Sequence, residues 1–260
     1  MRRGYADAPN GQIHYAEAGS GPAIVLLHQV ASSAAMFERS APLLAARYRT
    51  VAIDAPGFGL SDPPRTPGDL HEFSDAVVAV LDSLEIESAH VVGFHTGASI
   101  TLDLAVRTPD RVASATLVGI LAVQSDEERE HWRETIVKPW KADGRGDFVA
   151  AQVEFLQLYI PDDGESFLSE LISRLQAGPN YWWAYNAVLD HPAYDLFGEI
   201  TQPVLVINPA DDPIYDETKR AHAALPGAAY AEVPGGADAP VTYPAEFAAA
   251  ILTFVDGLSD

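Results

Sequence analysis

Three loops in this chain carry side chains able to move a proton. His95 stands between glycines in Gly93-Phe94-His95-Thr96-Gly97, Asp212 lies in Asn208-Pro209-Ala210-Asp211-Asp212-Pro213-Ile214, and Asp238 lies in Pro234-Gly235-Gly236-Ala237-Asp238-Ala239-Pro240. An imidazole held by a carboxylate has a fixed tautomer and can act as a general base near neutral pH. The other candidates are weaker. His14, His71, His90, His131, His191 and His222 share no metal-ligand spacing, and the acidic group Asp211, Asp212, Asp216 and Glu217 lacks a supporting glycine or histidine pattern, so no metal is expected. The chain has neither a phosphate-cradling nor a dinucleotide-binding glycine loop, and no cofactor is expected. With no cysteine, thiolate nucleophiles, disulfides and iron–sulfur clusters are excluded.

The elements that position these loops are short apolar runs alternating with amphipathic stretches. Ala23 to Leu27 ends at His28 and Gln29, Thr50 to Ile53 at Asp54, Ala89 to Val92 at Gly93, Ala115 to Val118 at Gly119, and Val204 to Ile207 at Asn208. Strands that are apolar without alternation are buried on both faces, as in a parallel sheet covered by helices. Helical patterns over Ser74 to Leu84 and Ala98 to Arg107 fall between them. The sequence therefore predicts an α/β fold, a mostly parallel doubly wound sheet. The span 122–199 contains no buried strand pattern. It holds all four tryptophans (Trp132, Trp140, Trp182, Trp183) with Tyr181, Tyr185, Tyr194, Phe148 and Phe155. It is expected to form a helical cap over the carboxyl ends of the strands, with 1–121 and 200–260 as the core.

Four strand-end signatures occur in order. They are Gly19-Ser20-Gly21-Pro22 with His28-Gln29 and Ser32-Ser33; Asp54-Ala55-Pro56-Gly57-Phe58-Gly59-Leu60-Ser61-Asp62; Val91-Val92-Gly93-Phe94-His95-Thr96-Gly97-Ala98; and Asn208 to Ile214. In these loops the chain resembles the α/β-hydrolase superfamily over nearly its whole length outside the cap. The resemblance implies that family's fold, with a nucleophile elbow at His95 and oxyanion donors in the backbone N–H groups of Val30 and Thr96. Three positions depart from the family pattern. His95 stands in place of the elbow serine, leaving no hydroxyl to form an acyl-enzyme. Asp238 stands in place of the base histidine, and Gln29 in place of a glycine. A long imidazole at the elbow and a short carboxylate on the late loop have a similar summed reach. His95 is therefore expected to be a base oriented by Asp238, with Asp212, in the triad-acid position, as electrostatic support. His28, Gln29, Phe94, Trp132, Tyr181, Trp182, Trp183 and Tyr185 are expected to line a pocket for a flat or aromatic ligand.

Composition limits the partners. In 260 residues, 48% hydrophobic, a large core can be buried, and a net charge of −21 repels nucleic acid and anionic membranes. No stretch reads as a signal peptide or membrane span, and a cytoplasmic monomer or homodimer acting on a small aromatic molecule is expected. A base facing an oxyanion hole resembles the equipment of the superfamily's non-hydrolytic branches. Cofactor-independent oxygenation of a hydroxylated polycyclic aromatic, with dioxygen as second substrate, is the first expectation. Lyase or cyclase chemistry without oxygen, hydrolysis through water activated by His95, and ligand binding without catalysis are the alternatives.

Overall fold

The computed structural model describes residues 1–9, 11–138, 144, 146–159 and 164–258. Trp140 and Pro161-Asp162-Asp163 lie outside the described residues. Eight strands form one sheet: β1 (Arg2–Ala8), β2 (Gly11–Ala18), β3 (Ala23–Leu27), β4 (Arg49–Ile53), β5 (Ala89–Phe94), β6 (Val112–Val118), β7 (Val204–Pro209) and β8 (Ala229–Val233). Their order is β1-β2-β4-β3-β5-β6-β7-β8. β1 with β2 and β2 with β4 are antiparallel, and every later pair is parallel.

The helices are α1 (Ala41–Leu44), α2 (Leu70–Ser83), α3 (Thr96–Arg107), α4 (Asp126–Ile136), α5 (Asp147–Tyr159), α6 (Gly164–Ala177), α7 (Trp182–Asp190), α8 (Ala193–Leu196), α9 (Tyr215–Ala224), α10 (Ala239–Thr242) and α11 (Pro244–Gly257). Each central strand is buried on both faces. Along β3, Val25 and Leu27 join a core with α2 and α3, while Ile24 and Leu26 join a core with α1 and α11. Successive side chains of a strand point to opposite faces, so a continuous apolar run feeds both layers.

All five apolar runs read from the sequence lie within strands. Three strands were not read. β1 and β8 are the sheet's edges and are largely exposed, and β2 mixes buried, partly exposed and polar residues, so none carries a continuous apolar run. Between β6 and β7 the described residues form only helices, α4 to α8.

Candidate active site

The site is built at the carboxyl ends of β3, β5, β7 and β8. His95 occupies the turn from β5 into α3 with φ +49° and ψ −108°, a conformation that side chains with a Cβ rarely adopt. The turn is tight because its glycines allow close approach. A Cβ on Gly93 would stand 2.0 Å from the Gly97 carbonyl oxygen, and one on Gly97 would stand 2.2 Å from that of Leu27. The strained turn lifts His95 off the sheet end.

His95 Nε2 lies 2.8 Å from Asp212 Oδ2. The Asp212 carboxyl is fully buried, and its other oxygen accepts the Ile214 N–H at 3.0 Å, which fixes the group's orientation. Because a carboxylate only accepts, a neutral imidazole making this contact carries its proton on Nε2 and keeps a lone pair on Nδ1. This corrects the expected pairing of His95 with Asp238. The elbow follows β5, and Asp212 follows β7, one strand nearer than the β8 loop that bears Asp238. The gap over β6 is kept open by Gly119, where a Cβ would stand 2.5 Å from His95 Cδ2.

Asp238 lines the same cavity as His95, and among the described residues no hydrogen bond joins it to this pair. It is 9% exposed, and its Oδ2 has no hydrogen-bond partner among the described residues. Burial, reinforced by the charge of Glu170, pushes its carboxyl above the usual carboxylate range.

The two residues whose backbone N–H groups are expected as oxyanion donors, Val30 and Thr96, also line the cavity. Thr96 opens α3, so its N–H belongs to the first helical turn, where no carbonyl of the helix accepts it. Val30 lies in the turn after β3, held by the Tyr185 hydroxyl donating to its carbonyl at 3.1 Å. Gln29 lines the cavity too, and its Nε2 donates to the Ala237 carbonyl at 2.9 Å, joining this turn to the Asp238 loop.

The cavity has a volume of about 270 Å³, and Trp132 of α4 and Tyr185 of α7 supply aromatic wall. The remaining expected lining residues lie elsewhere. His28 Nδ1 donates to the Gln29 carbonyl at 2.7 Å and its Nε2 accepts the Ala55 N–H at 2.9 Å, so the ring is a neutral anchor between two loops. Burial lowers its pKa, in keeping with that neutral form. Phe94 is fully buried against Phe247. Trp183 faces a separate cleft beside His71, and Trp182 packs onto the core below α2 and α3. Tyr181 is buried edge-on against Tyr185. Consecutive helical residues point about 100° apart, so the run Tyr181 to Tyr185 cannot present all its rings to one cavity.

Sequence reasoning missed the polar wall. Ser166, Glu170 and Arg174 of α6 line the cavity, and Arg174 is buried with its guanidinium over the Phe155 ring. Glu170 Oε1 lies 3.8 Å from Arg174 Nε, and Glu170 Oε2 accepts the Ser32 hydroxyl at 2.8 Å. In sequence, an i,i+4 Glu–Arg pair reads as a solvated helix face.

A family model for the α/β-hydrolase fold matches residues 22–240, and the chain belongs to that family. It is similar to the 2-(acetamidomethylene)succinate hydrolase of Mesorhizobium japonicum, 33% identical over 102 residues, which are 39% of this chain and 37% of that protein. It is also similar to the 2-hydroxy-6-oxononadienedioate/2-hydroxy-6-oxononatrienedioate hydrolase of Cupriavidus pinatubonensis, 37% identical over 114 residues, 42% of this chain and 39% of that protein. The matched stretches thus span less than half the length of these relatives. The enol-lactonase crystal structure from Burkholderia xenovorans superposes with a TM-score of 0.84 at 21% identity, over 97% of this chain and 100% of that one. That likeness shows the fold.

These relatives are enzymes, and they are named as hydrolases. The expectation of cofactor-independent oxygenation is overturned on that ground, since hydrolases cleave a bond with water and need no dioxygen.

Proposed function

We propose that this chain is a hydrolase of small acyl compounds in which His95 activates the attacking water and Asp212 holds the imidazole, replacing a serine-based triad. The 2.8 Å contact between His95 Nε2 and Asp212 Oδ2 carries this reading, because it leaves Nδ1 as a proton acceptor at the cavity. In the reaction, water adds to the substrate carbonyl carbon as its proton passes to His95 Nδ1. The oxyanion that forms is held by the N–H groups of Val30 and Thr96, a kind of contact worth ~2.7–4 kcal/mol per donor. Collapse of the tetrahedral species breaks the bond to the leaving group. Trp132 and Tyr185 bound the space for an apolar acyl body, and 122–199 serves as a lid over a core made of 1–121 and 200–260.

The hydrolase names of the relatives support the reaction class. The test is turnover of a panel of esters, amides and vinylogous 1,5-diketones by the wild type and His95→Ala. Product formation that falls by ~10²–10⁴ in the variant supports the reading. Equal rates in the two proteins would remove His95 from the mechanism.

A further inference from the structure

Asp238 is an ionisable wall residue with no task in the reaction as described. It is nine-tenths buried, with 9% of its surface exposed, and its Oδ2 meets no hydrogen-bond donor among the described residues. Hydrogen bonds from the backbone at Gly236 and Asp238 and from the Thr242 side chain favour the ionised carboxyl, but burial, with Oδ2 unpartnered, outweighs them and favours the neutral acid. The charge of Glu170, on the facing helix α6, acts in the same direction as burial. The loop that bears Asp238 is also well placed. The Gln29 amide binds the carbonyl of the preceding residue, Ala237, at 2.9 Å, so the Asp238 loop abuts the turn that presents the Val30 N–H. His95, Val30, Thr96 and Asp238 all line one cavity.

We propose that Asp238, as the neutral acid, protonates the leaving group during hydrolysis, while His95 takes the proton of the attacking water. The assignment rests on the hydrolase reading above. It divides between two residues the two proton transfers that one histidine performs when a serine is the nucleophile. For an ester, the carbon–oxygen bond breaks as the Asp238 proton moves to the departing oxygen, releasing an alcohol and leaving Asp238 as a carboxylate. The proton taken up by His95 then returns through water to Asp238, so one water is consumed and both side chains are restored.

A donor to the leaving group matters only when that group is a poor one. The test is therefore kcat/KM for acetate, benzoate and cinnamate esters whose leaving groups run from 4-nitrophenolate to simple alkoxides, with the wild type and Asp238→Asn. The variant keeps the shape and a hydrogen-bond donor but has no proton to give. Asp238→Asn is expected to lose ~10²–10⁴-fold on alkyl esters and no more than a few-fold on 4-nitrophenyl esters. Activity retained on the nitrophenyl esters also reports that the variant is folded. An equal loss across the series, or none, overturns the role of Asp238 and leaves hydrolysis standing. A wild type inert toward every one of these esters and toward the amides and diketones of the wider panel overturns the hydrolase reading and the role of Asp238 with it.

Discussion

Gly119 and His95 share one volume. A Cβ on Gly119 would stand 2.5 Å from Cδ2 and 2.7 Å from Nε2 of the imidazole, and 3.4 Å from Asp212 Oδ2. The glycine at the end of β6 thus lets the ring of one loop reach the carboxylate of another. Gly119→Ala is expected to push the ring away and cut kcat by ~10², the scale set by an ångström of misplacement. Because Gly119 has φ +57°, the same variant should also lose ~1 kcal/mol or more of stability, read as a lower urea midpoint. Full activity in a folded Gly119→Ala protein would show that the spacing is not needed.

His95 itself pays a conformational cost at φ +49° that glycine would not. His95→Gly is expected to abolish turnover and to be more stable than His95→Ala by ~1 kcal/mol, visible as the higher Tm of the two. His95→Ala keeps the Cβ and so should lose activity with no such gain. A His95→Gly protein less stable than His95→Ala would contradict the strain argument.

Tyr185 donates to the Val30 carbonyl at 3.1 Å, tying α7 to the turn that offers an oxyanion donor. Tyr185→Phe removes that hydrogen bond and leaves the ring. Loss of about 0.5–1.5 kcal/mol of support predicts a fall in kcat of up to about tenfold. Binding of a product analogue, followed by tryptophan fluorescence, should change little. A variant with wild-type kcat would separate the hydroxyl from the positioning of Val30.

Away from this site, Asp103 of α3 is buried between His71 Nδ1 at 2.9 Å and His191 Nε2 at 3.3 Å, and it accepts the Ser74 hydroxyl. Burial works against its ionisation. The hydrogen bonds from His191 and Ser74 and the charge of His71 outweigh burial and hold its pKa to about 2, below the ordinary 3.8. A carboxyl with a depressed folded-state pKa contributes stability that is complete above its unfolded pKa and is lost as pH falls through the folded one. The window therefore runs from pH 3.8 down to about 2. Urea midpoints across it should show wild type losing about 1–2 kcal/mol relative to Asp103→Asn. Parallel pH curves for the two proteins would rule out that linkage.

The fold was legible because its central strands are buried on both sides and so announce themselves as continuous apolar runs. The edge strands β1 and β8 are mostly exposed and carry no such signal. Within the site, His95 and Asp212 stood out in the strand-end motifs. Their direct pairing did not, because motif order names positions and says nothing of which carboxylate an imidazole at the elbow can reach. The least legible element is α6. Leu168 and Ile172 are 56% and 48% exposed, while Ser166, Ser173 and Arg174 are buried. The ordinary rule, apolar side inward, points the wrong way when a helix borders a cavity with a polar wall. The aromatic run of α7 misled for a related reason, since neighbouring residues on a helix diverge in direction.

The elbow turn raises one last point. Its tip presents a ring nitrogen where reagents that hunt for activated hydroxyls expect an oxygen. Fluorophosphonate probes, which mark serine hydrolases by covalent capture, have nothing at His95 with which to form a lasting phosphonate ester. A cell-wide survey with such probes would count this protein as silent even where the hydrolysis proposed above proceeds. Its activity is to be sought by following products, and its inhibitors among molecules that imitate the tetrahedral oxyanion without reacting.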